Sequence, residues 1–181
     1  MFHTIGQPGL LLVEPQVFGD DRGFFYESYN KARFDAAVER SVTFVQDNHS
    51  RSVRNVVRGL HYQVGEKAQG KLVRVIAGAI LDVAVDIRRS SSTFGRWTAL
   101  ELSAENRKQL WIPEGFAHGF LALSDHAEVI YKTTAPYDRA SERAIAWDDP
   151  ELAINWGLEE DAIVSDKDQV SPAFRDAEVF A

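Results

Sequence analysis

An antiparallel β sandwich or barrel is predicted by three observations. Short β-branched, aromatic or alternating segments recur along most of the chain, turn residues separate them at close intervals, and few stretches between them carry helical periodicity. Repeated βαβ units, which need a helix between successive strands, are therefore disfavoured.

Taken in order, strands are expected at Leu10 to Val13, Gly23 to Glu27, Thr43 to Val45, Val56 to Tyr62, Leu72 to Ile76 and Ile80 to Ile87. They continue at Trp97 to Leu102, Gln109 to Ile112, Phe116 to Leu123 and Ala127 to Thr133. The breaks fall at Gly19-Asp20-Asp21, Gly65, Ala77-Gly78, Ser90-Ser91-Ser92, Pro113-Glu114-Gly115 and Ser124-Asp125. One helix is expected from Lys31 to Glu39: Asn30 can cap it, and Phe34, Ala37 and Val38 form an apolar stripe. After Pro150 the alternation loosens into Leu152, Ile154, Trp156 and Leu158 and then an acidic stretch, so a tail of short helical turns and loops should wrap the barrel. No repeat, low-complexity tract or linker divides the chain, and residues 1–181 are expected to form one domain.

Composition removes several function classes. A formal charge of −7 and a pI near 5.2 argue against a duplex-binding surface, which needs clustered Lys and Arg to displace counterions. A local basic pocket for an anionic small ligand stays open. With no cysteine, disulfides, thiolate metal sites and thiol nucleophiles are excluded. The N-terminus lacks the basic and apolar segments of a secretory signal, and no apolar run approaches the roughly 20 residues of a membrane-spanning helix. A cytoplasmic location without membrane partners is the expectation.

Chemistry concentrates where polar groups interrupt strand-like runs. Arg58 and His61 lie in Val56 to Gln63, and strict alternation sends them to opposite faces unless Gly59 bends or bulges the strand. Lys71 shares a face with Val73 and Val75, so it either reaches water at a strand end or points a cation into a cavity. His118 shares its face with Phe116 and Phe120, and Tyr131 with Val129. Polar rings among apolar neighbours are expected of a barrel interior that holds a ligand.

The chain resembles the dTDP-4-dehydrorhamnose 3,5-epimerase family, nucleotide-sugar enzymes of the cupin superfamily. The likeness rests on Asp21-Arg22-Gly23-Phe24-Phe25, Phe44 to Ser50, Arg58-Gly59-Leu60-His61-Tyr62-Gln63, Asp82 to Arg88, Pro113 to Phe120, Trp147-Asp148-Asp149-Pro150 and Ser165-Asp166-Lys167-Asp168. It implies a mainly β, cupin-type jelly-roll barrel with a few short peripheral helices. It also implies a homodimer with exchanged N-terminal strands, and no metal or organic cofactor. Carried over by position, His61 is the general base, oriented by Asp168, and Tyr131 is the general acid on the opposite face of the sugar. Lys71 stabilises the enolate, while Arg58 and His118 contact the substrate and its diphosphate. Gln46, Asp47 and Asn48 line the nucleotide-sugar site, Glu142 and Lys167 match substrate-contacting positions, Arg22 and Glu27 reach over to the nucleotide, and Tyr137 stacks on the base. One departure is Val64-Gly65-Glu66-Lys67-Ala68, which replaces a proline-bearing linker.

The implied substrate, a dTDP-4-keto-6-deoxy sugar, explains why such groups are needed. A ketone at C4 acidifies the hydrogens at both C3 and C5, because either carbanion delocalises onto the C4 oxygen. An imidazole, with a reference pKa of roughly 6.5, is substantially neutral near pH 7 and suits the base. Inversion then needs a proton from the other face, which a phenol can deliver.

Simpler readings stand beside these. A histidine between Leu60 and Tyr62 is, by itself, equally a structural residue, and His3, His49 and His126 read as structural or incidental. Asp82 and Asp86 are either paired acids or a solvated or salt-bridged strand face; Arg51 to Arg54 and Arg88-Arg89 read as solvated loop charges; Asp148-Asp149 reads as a turn. Competing functions are a mono-epimerase acting at C3 or C5 alone, a metal-dependent cupin enzyme, and a non-catalytic sugar-nucleotide binding module. The metal alternative is disfavoured because His61 lacks a second histidine at His-x-His spacing.

Overall fold

A computed structural model describes residues 1–158 and 160–181. Its strands are β1 (Phe2–Thr4), β2 (Leu11–Val13), β3 (Phe18–Asp20), β4 (Gly23–Phe25), β5 (Gln46–Val53), β6 (Val57–Gln63) and β7 (Lys71–Ala77). They continue with β8 (Ala79–Asp86), β9 (Trp97–Ser103), β10 (Gln109–Ile112), β11 (Phe116–Ala122), β12 (His126–Thr133) and β13 (Glu142–Ala144). The helices are α1 (Lys31–Val38) and α2 (Asp166–Gln169). A six-stranded sheet, in the order β1-β2-β10-β7-β12-β5, faces a five-stranded sheet, β13-β6-β11-β8-β9, and β3 and β4 form a separate hairpin. Every ladder between these strands is antiparallel, as the turn spacing predicts.

Three apolar layers hold this jelly-roll barrel together. Between the sheets lie Val73, Val75, Ile80, Ala84, Leu110, Ile112, Phe120 and Val129. On the outer face of the five-stranded sheet, Val57, Leu60, Tyr62, Val83, Val85 and Ile87 are covered by Leu152, Trp156, Phe174 and Ala177 of the C-terminal tail. On the outer face of the six-stranded sheet, α1 lays Phe34 edge-on against Trp111, with ring centroids 5.2 Å apart. Asn30 caps α1 as expected, accepting the Arg33 amide at 3.2 Å.

The tail is why β8 is buried on both faces. Its valine face turns outward against the tail, which leaves Asp82 and Asp86 on the inner face, both at 0% exposure. The solvated reading of these acids is therefore corrected, and they are not paired with each other. Asp86 takes a bidentate contact from Arg88 (2.9 and 2.7 Å) and hydroxyl bonds from Ser91 and Thr93 (2.6 Å each). Burial alone would raise the Asp86 carboxyl; these donors outweigh it and lower it to about 2. Arg88 is accordingly a structural cation, stacked 4.6 Å over Phe116, and not a solvated loop charge. Asp149 does make a turn: its carboxylate accepts the amides of Glu151 (2.9 Å), Leu152 (3.0 Å) and Phe174 (2.8 Å) and so pins the tail.

Other expectations shift for local reasons. No strand forms at Thr43 to Val45; β5 begins at Gln46 and runs through a polar sequence because it is an edge strand paired only with β12. Its inward residues alternate with exposed Asp47, His49, Arg51 and Val53, so no apolar period marks it. Strand β4 stops at Phe25, short of Glu27. The helix stops at Val38 because Glu39 adopts a left-handed conformation, φ 57°. Strands β1, β3 and β13 have three residues each, too few for periodicity to register. The tail contains α2 and a 3₁₀ turn at Phe174–Asp176, as expected of short helical turns; Glu159, in its acidic stretch, lies outside the described residues.

Candidate active site

Strand register lines up the polar groups at one end of the barrel interior. Cross-strand partners project to the same face, so Gln46, Thr133 and Lys71 stand abreast, with Asn48, Tyr131 and Val73 in the next row. On the facing sheet Ala144, His61 and His118 stand abreast. His61 and Tyr131 therefore approach the interior from opposite sheets.

A bulge in β6 resolves the parity of Arg58 and His61. Register runs His118↔His61 and then Phe120↔Arg58, three residues on β6 against two on β11, which returns both side chains to the inner face. The bulge requires glycine. Gly59 has φ +128°, and a Cβ there would lie 2.5 Å from Gly119 Cα and 2.8 Å from the His118 carbonyl. Arg58 stays exposed at the rim, where its guanidinium donates to Ser52 Oγ (3.0 Å).

At this end of the barrel a cavity of about 150 Å³ is lined by Gln46, Asn48, His61, Tyr62, Gln63, Gln69, Lys71, Tyr131, Tyr137 and Glu142. His61 Nε2 lies 2.5 Å from Asp168 Oδ1. Asp168, 4% exposed, is delivered by α2, whose N-cap Ser165 accepts the Asp168 amide at 3.2 Å. Burial pulls the Asp168 carboxyl upward, but hydrogen bonds from His61, Ser165 and the Gly59 amide hold it below the usual range. An ionised carboxylate beside Nε2 accepts a hydrogen bond from the Nε2 proton, so the neutral ring carries its lone pair on Nδ1.

Lys71 is a cavity cation, not a strand-end one: it is 8% exposed, and its ammonium donates to the His61 carbonyl at 3.2 Å. Burial lowers its pKa to about 8, against the opposing pull of Asp82 and Glu142. Burial raises the Tyr131 phenol, Arg58 partly offsets this and Glu142 adds to it, so the group stays a proton donor at neutral pH. His118 is buried behind this trio with Nε2 2.7 Å from Asp82 Oδ1, and burial lowers its pKa despite that partner. The other Asp82 oxygen has no hydrogen-bond partner among the described residues.

Not every expected residue reaches the cavity. Asp47 does not line it, because alternation along β5 turns Asp47 outward to Lys132 (2.9 Å). Arg22 sits exposed on the β3–β4 turn, bonded to Asp20 at 2.5 Å. Glu27 borders a separate cavity of about 310 Å³ beside α1, where it meets Arg33 (3.2 Å) and Asn30 (3.0 Å). Tyr137 and Lys167 both converge on Glu142, at 3.0 and 2.5 Å.

Sequence reasoning missed Gln63, Gln69, Asp82 as the His118 partner, and Ser165. Gln63 was findable, lying two residues beyond His61 on the same face. Gln69 sits in the loop before β7, where no pattern marks it. Among the described residues no three His, Asp or Glu side chains converge as metal ligands, and no helix is long and apolar enough to cross a membrane.

Known proteins share this arrangement of sequence and fold. The family model described as dTDP-4-dehydrorhamnose 3,5-epimerase matches residues 5–176. A dTDP-4-dehydrorhamnose 3,5-epimerase of Pseudomonas aeruginosa is 57% identical over 173 residues, covering 96% of this chain and 95% of its own. That of Escherichia coli K12 is 58% identical over 160 residues, covering 88% and 86%. The crystal structure of a dTDP-6-deoxy-D-glucose-3,5-epimerase from Legionella pneumophila, in complex with dTDP-4-keto-L-rhamnose, superposes with a TM-score of 0.94 at 47% identity, covering 97% and 93%. A 3'-monoepimerase from Streptomyces bikiniensis superposes with a TM-score of 0.91 at 32% identity, covering 96% and 87%. With the jelly-roll barrel and these matches over nearly its whole length, the chain belongs to the dTDP-4-dehydrorhamnose 3,5-epimerase family.

Proposed function

We propose that this protein inverts C3 and C5 of dTDP-4-dehydro-6-deoxy-D-glucose to give dTDP-4-dehydro-L-rhamnose, without a cofactor. The observation that carries the reading is the carboxylate-backed imidazole of His61 on one sheet and the Tyr131 phenol on the other, bordering one cavity with Lys71. His61 removes the proton alpha to the C4 ketone, and the electron pair moves onto the C4 oxygen. The Lys71 ammonium stabilises that oxyanion, and Tyr131 returns a proton to the carbon from the opposite face. Once His61 has passed its proton to solvent and Tyr131 has recovered one, repeating the cycle at the second carbon completes the double inversion.

Arg58, at the rim, suits the diphosphate. Gln46 and Asn48 suit the sugar, and Tyr137 offers an exposed ring for the base. His118, Glu142 and Lys167 complete the proposed substrate contacts. Arg22 and Glu27 lie away from the cavity of their own chain, beside exposed Phe18, Phe24 and Phe25. That placement supports a homodimer with exchanged N-terminal strands, in which a second copy brings these two residues to the nucleotide. Light scattering of the purified protein tests the dimer, and a monomer at working concentration would contradict it.

Likeness to a 3'-monoepimerase keeps inversion at a single carbon as the second reading. Incubation with dTDP-4-keto-6-deoxy-D-glucose, with ring coupling constants read by NMR, separates the two. Inversion at both carbons supports the proposal, inversion at one supports the alternative, and unchanged sugar opposes both.

A further inference from the structure

We propose that Glu142 and Lys167 form a latch that positions Asp168 behind His61, so that the contact organising the substrate-facing loop also seats the catalytic base. The proposal rests on the epimerase reading for its kinetic consequence. Its structural content stands on the contacts that join helix α2 to Glu142 and His61.

Helix α2 is only four residues long and belongs to a tail that reaches the barrel through main-chain bonds on either side. These run from Val57 N to Ile163 O at 3.0 Å and from Ala146 N to Pro172 O at 2.8 Å. Between them, among the described residues, the side-chain ties from α2 to the barrel come from consecutive positions. Asp168 reaches His61 at 2.5 Å and also accepts the Gly59 amide, and Lys167 reaches Glu142 Oε1 at 2.5 Å. A four-residue helix has little rigidity of its own, so its orientation depends on such ties.

Glu142 stands at the meeting point. On β13 it is abreast of Gln63, while Ala144 of the same strand is abreast of His61. Its second oxygen accepts the Tyr137 hydroxyl at 3.0 Å, and the Tyr137 amide donates to Gln46 at 3.0 Å. Gln63 holds the same loop through the Pro136 carbonyl (3.1 Å) and the Asp138 amide (2.8 Å). One carboxylate thus joins the loop, the strand beside the base and the helix bearing the base's partner. Burial pulls the Glu142 carboxyl upward, but the Lys167 ammonium and the Tyr137 hydroxyl hold it below its usual range, so it is ionised when the enzyme works.

Because Lys167 is half-exposed, its ion pair contributes little to global stability. What it supplies is geometry, and small misplacements of a catalytic group cost rate. A residue that merely touches substrate would act on binding instead.

The test combines amide hydrogen exchange on the substrate-free protein with steady-state epimerisation. The proteins compared are the wild type, Lys167→Met, Lys167→Arg, Glu142→Gln, Asp168→Asn and the Lys167→Met/Asp168→Asn pair. Amides of residues 165–169 should exchange about tenfold faster in Lys167→Met and Glu142→Gln, and Lys167→Arg should restore protection. At saturating substrate kcat should fall about tenfold in Lys167→Met, yet by less than about twofold when Lys167→Met is added to Asp168→Asn, as coupled neighbours require. A raised KM with unchanged kcat and unchanged exchange would overturn the latch, and so would full additivity of the two losses. If the wild type fails to epimerise, the epimerase reading falls, and the exchange measurement alone decides the latch.

Discussion

His61 and Asp168, 107 positions apart in sequence, share a 2.5 Å contact from which the carboxylate is all but shut off from water. That hydrogen bond fixes which ring nitrogen carries the proton and leaves the other free for the proposed role of base. Asp168→Asn keeps the shape but removes the charge that steadies the imidazolium. It should lower kcat by about a hundredfold or more while substrate affinity, read by calorimetry, stays within a few-fold.

Lys71 carries a stability cost with a definite sign. Its pKa is lowered from 10.5 to about 8 in the folded chain, so between those values the unfolded chain binds more protons and native stability rises with pH. Below about pH 8 the charged amine is buried at full cost, on the order of 3 kcal/mol from that shift. Lys71→Met should therefore be more stable than wild type at pH 7 by up to that amount, with the gap closing as pH rises toward 10.5 in urea titrations. The same variant should lose at least about a hundredfold in kcat, since the oxyanion loses its cation.

On the proposed mechanism, removing the Tyr131 hydroxyl should separate abstraction from inversion. Its phenol stays protonated because burial raises its pKa, and it faces the cavity from the sheet opposite His61. In Tyr131→Phe, solvent hydrogen should still exchange into the sugar, while accumulation of inverted product falls about a hundredfold. Equal loss of exchange and inversion would contradict its assignment as the acid.

Much of this was legible in the sequence because apolar alternation marks strands that are half-buried. The runs from β6 to β12 fell close to their expected bounds, and the inward faces of His118 and Tyr131 followed from period two; for Lys71 alternation gave the valine-bearing face but left open whether the cation reached water or the cavity. Three things were not legible. Edge strand β5 is held by its ladder with β12 and needs no apolar face, so its polar sequence hid it. Asp82 and Asp86 read as paired acids or as a solvated or salt-bridged face, but the tail covers the valine face of β8 from outside and leaves the two aspartates within. Whether Gly59 bulged could be posed but not answered, because the extra residue shows only in register with β11.

That bulge yields a structural prediction. At φ +128° with backbone 2.5 Å from any Cβ, Gly59→Ala cannot be accommodated by moving a side chain. It should destabilise the fold by a few kcal/mol, with soluble yield and urea midpoint as the readouts. A variant of wild-type stability would mean that the strand can hold His61 without the bulge.

The most direct test of the account is to run the reaction in deuterated water and assign deuterium at C3 and C5 of the sugar by NMR. Deuterium at both carbons of an L-configured product, abolished in His61→Asn, is the predicted result. Inverted product that retains its original hydrogens at both carbons would contradict proton abstraction by His61 as the central step.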